Sequence, residues 1–232
     1  MRKTVAATLA AMTLTTGTLA TPAAQASTVV PNIIGGGTAT DAPWGAQVYW
    51  NSVGFQCSGS IIAAQWVLTA RHCLATGAMY VLVGSLNLGQ GTKATVDRTQ
   101  TPPTGDIALL HLSSTVDATY ITLADSDPAV GDTNQIYGWG RTQGTNPPSP
   151  VLKTANVQVT GAGTDAYSGP AIASQGVDGS AWHGDSGGLQ LAGGAQVGVC
   201  STGSNSGSDI NGTQNYASVA NSRAWIRETA GA

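Results

Sequence analysis

The chain has 232 residues, of which 9% are charged and 41% hydrophobic, and it carries 31 glycines. So little charge with so much glycine fits an all-β exported protein better than a helical one, and the apolar fraction is enough for a core. A net charge of −3 without any basic stripe argues against nucleic acid and anionic membranes as partners.

Taken in order, Met1-Arg2-Lys3 precedes an apolar run from Thr4 to about Ala20, and Ala24-Gln25-Ala26 follows as a small-x-small cleavage site. This is the pattern of a secretory signal peptide over residues 1–26; its threonines and early end argue against a transmembrane helix. No later apolar run is long enough to span a bilayer, so a secreted, soluble product is expected. Loss of Arg2 and Lys3 leaves seven basic residues against 12 acidic ones, a net charge of −5. Residues 27–32 are too short to fold and read as a short propeptide, after which the chain opens on Ile33-Ile34-Gly35-Gly36.

Short segments bounded by Gly, Pro, Asn and Asp follow: Ala46–Trp50, Gly59–Ile62, Trp66–Ala70, Tyr80–Val83 and Ile107–Leu112. After a soft boundary at Thr119–Gly131 come Gln135–Trp139, Ala155–Val159, Gly188–Leu191, Gln196–Ser201 and Asn215–Val219. Such spacing predicts strands of a β-barrel or sandwich. Only Ser222–Ala230 reads as helix, with Asn221 or Ser222 as its cap and Trp225 and Ile226 as a docking pair. Cys57, Cys73 and Cys200 are the three cysteines, so export favours one disulfide and leaves one thiol over.

Three stretches carry chemistry. Trp66-Val67-Leu68-Thr69-Ala70-Arg71-His72-Cys73 ends an apolar strand in a histidine. Gly105-Asp106-Ile107-Ala108-Leu109-Leu110 places one carboxylate at the head of another, where it is expensive unless hydrogen-bonded. His183-Gly184-Asp185-Ser186-Gly187-Gly188 frames a serine with glycines, which presents its Oγ beside backbone N–H groups. Gly187 and Gly188 read as room for a substrate backbone.

Together with Ile33-Ile34-Gly35-Gly36 and Gly138-Trp139-Gly140, these stretches resemble the chymotrypsin-like (trypsin-fold) serine endopeptidases, of the secreted bacterial type. The resemblance runs from Ile33 to about Arg227. It implies two antiparallel Greek-key β-barrels, about 33–118 and about 132–219, and a short C-terminal helix at about 222–230. It further implies a catalytic His72, Asp106 and Ser186 in that order, an oxyanion hole from the Gly184 and Ser186 amides, and a Cys57–Cys73 disulfide. Ser180 would lie at the floor of the primary specificity pocket, with Ser201 and Gly203 along its wall. A neutral floor favours apolar or aromatic substrate side chains, unless Asp178 reaches the pocket. Activation would free the α-amino group of Ile33 to pair with Asp185.

The departures are Arg71 for an alanine, Trp182 for a cysteine that staples the pocket loop, and Thr202 for a tryptophan. A cation at Arg71 is expected to lower the pKa of His72. His183 should rim the pocket, His111 should be a strand-end or surface residue, and Cys200 a buried thiol. No cofactor and no metal site is expected, the histidines having no ligand spacing. The expected partners are polypeptide substrates of a monomeric enzyme. An esterase or amidase with the same triad is the alternative activity; a silent homologue acting as a binding protein is the alternative class.

Overall fold

The computed structural model describes residues 33–232 and Met1; the expected signal peptide and propeptide otherwise lie outside the described residues. Fifteen strands run in chain order: β1 (Ile34–Gly35), β2 (Gly37–Thr38), β3 (Gly45–Trp50), β4 (Gly54–Ala63), β5 (Trp66–Thr69), β6 (Met79–Val83), β7 (Thr92–Gln100) and β8 (Ala108–Leu112). They continue as β9 (Thr133–Gly138), β10 (Lys153–Thr164), β11 (Pro170–Gly176), β12 (Gly179–Ser180), β13 (Leu189–Ala192), β14 (Ala195–Ser204) and β15 (Thr213–Ser218), and helix α1 (Val219–Ala230) ends the chain.

Strands β3, β4, β5, β8, β7 and β6 close one antiparallel barrel. A second closes through β9, β10, β11, β15, β14 and β13, because β10 pairs with β11 and β13 returns to β9. Closure removes the unpaired edges that open sheets must protect. The expected two-barrel, all-β fold with a C-terminal helix is therefore present. One apolar core runs through both barrels, from Val48, Leu68 and Leu110 to Leu189 and Val199, and reaches Val219 and Ile226 of α1. Full burial of a side chain such as Ile226 stabilises by roughly 1.5–3 kcal/mol.

Several elements depart from expectation, the two-residue strands β1, β2 and β12 among them. Helix α1 starts at Val219, and its cap is Ser218, whose hydroxyl accepts the Asn221 N–H at 3.1 Å. Strand β7 is polar and almost wholly exposed, with Ala94 its one buried residue, so no apolar alternation marks it. Barrel closure between β6 and β8 supplies its pairing instead, and Lys93 and Arg98 lie over the rings of Tyr80 and Trp66. Strand β11 was likewise unmarked; it pairs with β10 over Gly176 to Pro170.

Candidate active site

Register brings the first two site residues together. Thr69, the last residue of β5, is opposite Ala108, the first of β8. Running on past Thr69 and back from Ala108 therefore meets at one end of the first barrel, where a single 3₁₀ turn (Arg71–Cys73) carries His72. There His72 Nδ1 lies 2.7 Å from Asp106 Oδ2, and the His72 backbone N–H donates to Oδ1 at 3.0 Å. Ser201, from β14 of the other barrel, donates its hydroxyl to Oδ2 at 2.6 Å. Asp106 is wholly buried, and burial alone would raise its pKa; these hydrogen bonds and the neighbouring imidazole hold it below the usual value. The Cys57–Cys73 disulfide pins the turn and closes a span of 16 residues, about 3 kcal/mol in the chain-entropy model. His72 comes within 4.8 Å of both sulfurs, but sulfurs joined to each other are not thiolates and do not ligate a metal.

The serine arrives from the second barrel, three residues before β13. Its loop is clamped by β4: Ser58 N–H donates to Ser186 O at 2.8 Å, and Ser58 Oγ donates to Gly184 O at 3.0 Å. His72, Gly184 and Ser186 line one cleft of about 410 Å³. No hydrogen bond joins Ser186 Oγ to His72 Nε2 here; contacts of this kind tighten when substrate binds. Gly184 has a φ of +97°, and neither its N–H nor that of Ser186 donates to another described residue. Both amides are free to donate to a ligand.

Asp185 points the other way, into the protein. It is 1% exposed, accepting Gly140 N–H at Oδ1 and Trp182 N–H at Oδ2, each at 2.8 Å. Burial outweighs those two bonds and pushes its pKa up to about 7. Ile33 is also fully buried, packed with Cys200, Tyr216 and Ala181, and β1 holds the next residues against β12.

A second cavity, of about 160 Å³, also opens at Ser186, lined by Ala181, Trp182, Ser201, Thr202 and Gly203 among others. Ser180 does not line it. Its hydroxyl lies behind the wall, donating to Asp209 O and accepting from Asn205 Nδ2, both at 2.6 Å. Asp178 is turned away onto Asn156, whose N–H and Nδ2 it accepts at 2.7 and 2.6 Å.

The model of the family described as trypsin matches residues 33–226. The chain belongs to the trypsin family. It is accordingly a serine endopeptidase, a hydrolase. Trypsin delta of Drosophila erecta is 32% identical over 82% of this chain and 86% of its own length. Trypsin alpha of Drosophila melanogaster is 30% identical over 85% and 87%. These relatives are insect enzymes and give no support to a bacterial-type assignment. Among solved structures, mouse neuropsin superposes with a TM-score of 0.70 at 24% identity, covering 81% of this chain and 94% of that one. The structure titled HBP superposes at 0.74 and 21%, covering 86% and 97%. At such identities the likeness is one of fold.

Gly187 and Gly188 are needed for packing: a Cβ on Gly187 would clash with Thr69 Oγ1, and one on Gly188 with the Tyr137 carbonyl. Gly138 and Gly140 are glycine for a related reason, since the Asp185 carboxylate rests where their Cβ atoms would be. Arg71 does not lie on the imidazole; its guanidinium stacks on the Tyr167 ring, 4.4 Å from the centroid. Trp182 ties the pocket loop by a hydrogen bond where the family uses sulfur, its Nε1 donating to Gly144 O at 2.9 Å. His183 packs against that indole at the rim, His111 pairs with Asp97 at 2.6 Å, and Cys200 is a buried thiol, as expected.

Three residues escaped the sequence reading. Asp165 accepts the backbone N–H of Asp106 at 2.7 Å and so fixes the loop bearing that carboxylate. Gln214, opposite Gly203, accepts the Ala181 N–H at 2.8 Å and backs the pocket wall. Ser58 is described above. Each acts across 33 residues or more of sequence, so no local motif announces it.

Proposed function

We propose that this endopeptidase is secreted and cleaves polypeptides through Ser186, His72 and Asp106, by way of an acyl-enzyme. His72 Nε2 takes the proton of Ser186 Oγ as Oγ bonds to the substrate carbonyl carbon. The oxygen that gains charge sits between the Gly184 and Ser186 amides. His72 then returns the proton to the leaving amine as the C–N bond breaks. Water, deprotonated in turn by His72, hydrolyses the ester and restores Ser186. Asp106 keeps Nδ1 protonated and Nε2 free, and stabilises the imidazolium. The observation that carries this reading is the 2.7 Å Asp106–His72 contact, opening on the cleft that Ser186 shares with two undonated amides.

The pocket is assigned to the side chain before the scissile bond. No carboxylate lines it and Asp178 faces elsewhere, so apolar and aromatic residues are preferred over Lys and Arg. The edge of β14 beyond Cys200 pairs only with β15 and offers its other side to the substrate backbone.

Activation is assigned to a cut before Ile33. That residue sits at a φ of +47°, a conformation a β-branched residue adopts at a cost of about 1–3 kcal/mol. Cutting frees it, and its new ammonium supplies the cation that Asp185 lacks. The test is organophosphate labelling with casein digestion: wild type takes one label at Ser186 and digests casein, and Ser186→Ala does neither, losing turnover roughly a million-fold. Hydrolysis of short esters with casein left intact would favour the esterase reading.

A further inference from the structure

The described part of the chain holds few cations, and nearly all are engaged. Arg71, Lys93 and Arg98 lie over aromatic rings, Lys153 donates to Thr38 at 3.0 Å, and Arg223 and Arg227 stand 3.1 Å from Asp125. Arg141 is the one basic side chain among the described residues with no such partner. It is half-buried, and it lines the larger cleft beside Ser186.

With Ser186 as nucleophile, that cleft is assigned to the leaving side of the site. Substrate backbone before the scissile bond runs along the open edge of β14 and its side chain enters the smaller cavity. The larger cleft, lined by β4 and His72 and by no residue of β14, is left for the residues after the bond. Trp50, Phe55 and Pro148 wall it, His72 and His183 are its other titratable groups, and no carboxylate lines it. On a chain of net charge −3, its fixed charge is the Arg141 guanidinium. The Arg141 N–H donates to His183 O at 2.7 Å, which anchors the base of this side chain on the nucleophile loop itself.

We propose that Arg141 selects substrates with an acidic side chain at the first or second position after the scissile bond. A planar guanidinium offers two parallel N–H groups to one carboxylate, and the apolar walls reduce the water competing for it. This rests on the Ser186 reading above, in which the smaller pocket takes the side chain before the scissile bond.

The test is a set of quenched fluorescent peptides alike before the scissile bond, with Glu, Gln or Lys at each of the two positions after it. The cut wild-type enzyme should show kcat/KM in the order Glu, Gln, Lys at one of those positions, with about a three- to tenfold step, as for a partly screened ion pair. Arg141→Ala should flatten the series and Arg141→Glu should reverse it. Equal rates for Glu and Lys in wild type, or a Glu preference that survives Arg141→Glu, would overturn the proposal. Failure of the underlying mechanism shows separately, as turnover of the Gln peptide by Ser186→Ala.

Discussion

Asp106 and Asp185 are the same residue type at the same depth, 0% and 1% exposed, and their carboxyls are driven in opposite directions. Asp106 has His72 on both oxygens and the Ser201 hydroxyl besides, and its pKa falls. Asp185 has two backbone N–H groups and no cation, and its pKa rises to about 7. Burial is common to both and favours the neutral acid; the partners decide the sign. One carboxylate has a basic side chain beside it; among the described residues the other has none.

The comparison is broken most severely at Asp106. Replacing Asp106 by Asn keeps the shape but loses the charge and the tautomer, and kcat should fall by about 10⁴. Steady-state kinetics checks it, with KM expected to stay nearly unchanged. On the proposed activation, Asp185→Asn in the cut enzyme would remove the partner of the Ile33 ammonium and loosen the Gly184 amide, for an expected loss of about 10²–10³ in kcat.

Stability against pH sharpens the contrast, because the two signs differ. Asp185 in the uncut chain has a raised pKa, so its neutral form stabilises fully below 3.8, and that contribution is lost as pH climbs to about 7. The difference corresponds to on the order of 4 kcal/mol, and urea melts of the uncut chain should show it, with Asp185→Asn abolishing the trend. Asp106 is the reverse case. Its lowered pKa stabilises above the ordinary carboxylate range and is lost as pH falls through the folded value.

Smaller effects lie around each carboxylate. Ser201→Ala takes one donor from Asp106 and should raise its pKa and cut kcat about tenfold, at a cost near 1–3 kcal/mol for a hydrogen bond to a charge. Trp182→Phe removes the indole bond to Gly144 from the loop that carries Asp185 and should lower stability by about 1 kcal/mol.

The chemistry of this molecule was written locally and its support was not. His72, Asp106 and Ser186 each lie within three residues of a strand end inside a recognisable run, and the strands they adjoin (β5, β8 and β13) alternate or are apolar. The two barrels were therefore readable wherever a strand has a buried face. Strand β7 has almost none, so its place follows from barrel closure, which no window of sequence contains. The same holds for the pocket. Ser180 stands at the right spacing from Ser186, but Asn205 and Asp209, contributed from a loop after β14, draw its hydroxyl behind the wall. Gly187 and Gly188 were visible as special positions; their reason lies in Thr69 and Tyr137 of other strands. Ser218 was passed over as a cap because it also ends β15, and it serves both elements.

The most direct measurement is peptide turnover by two versions of the chain: one beginning at Ile33, and one with the bond before Ile33 made uncleavable. An ammonium paired with Asp185 should give the first at least ~100-fold higher kcat/KM, the size of one ordered oxyanion donor. The advantage should shrink at alkaline pH as the amine, its pKa raised by the buried carboxylate, loses its proton. Equal turnover by the two versions would contradict the account and leave Asp185 in need of another partner.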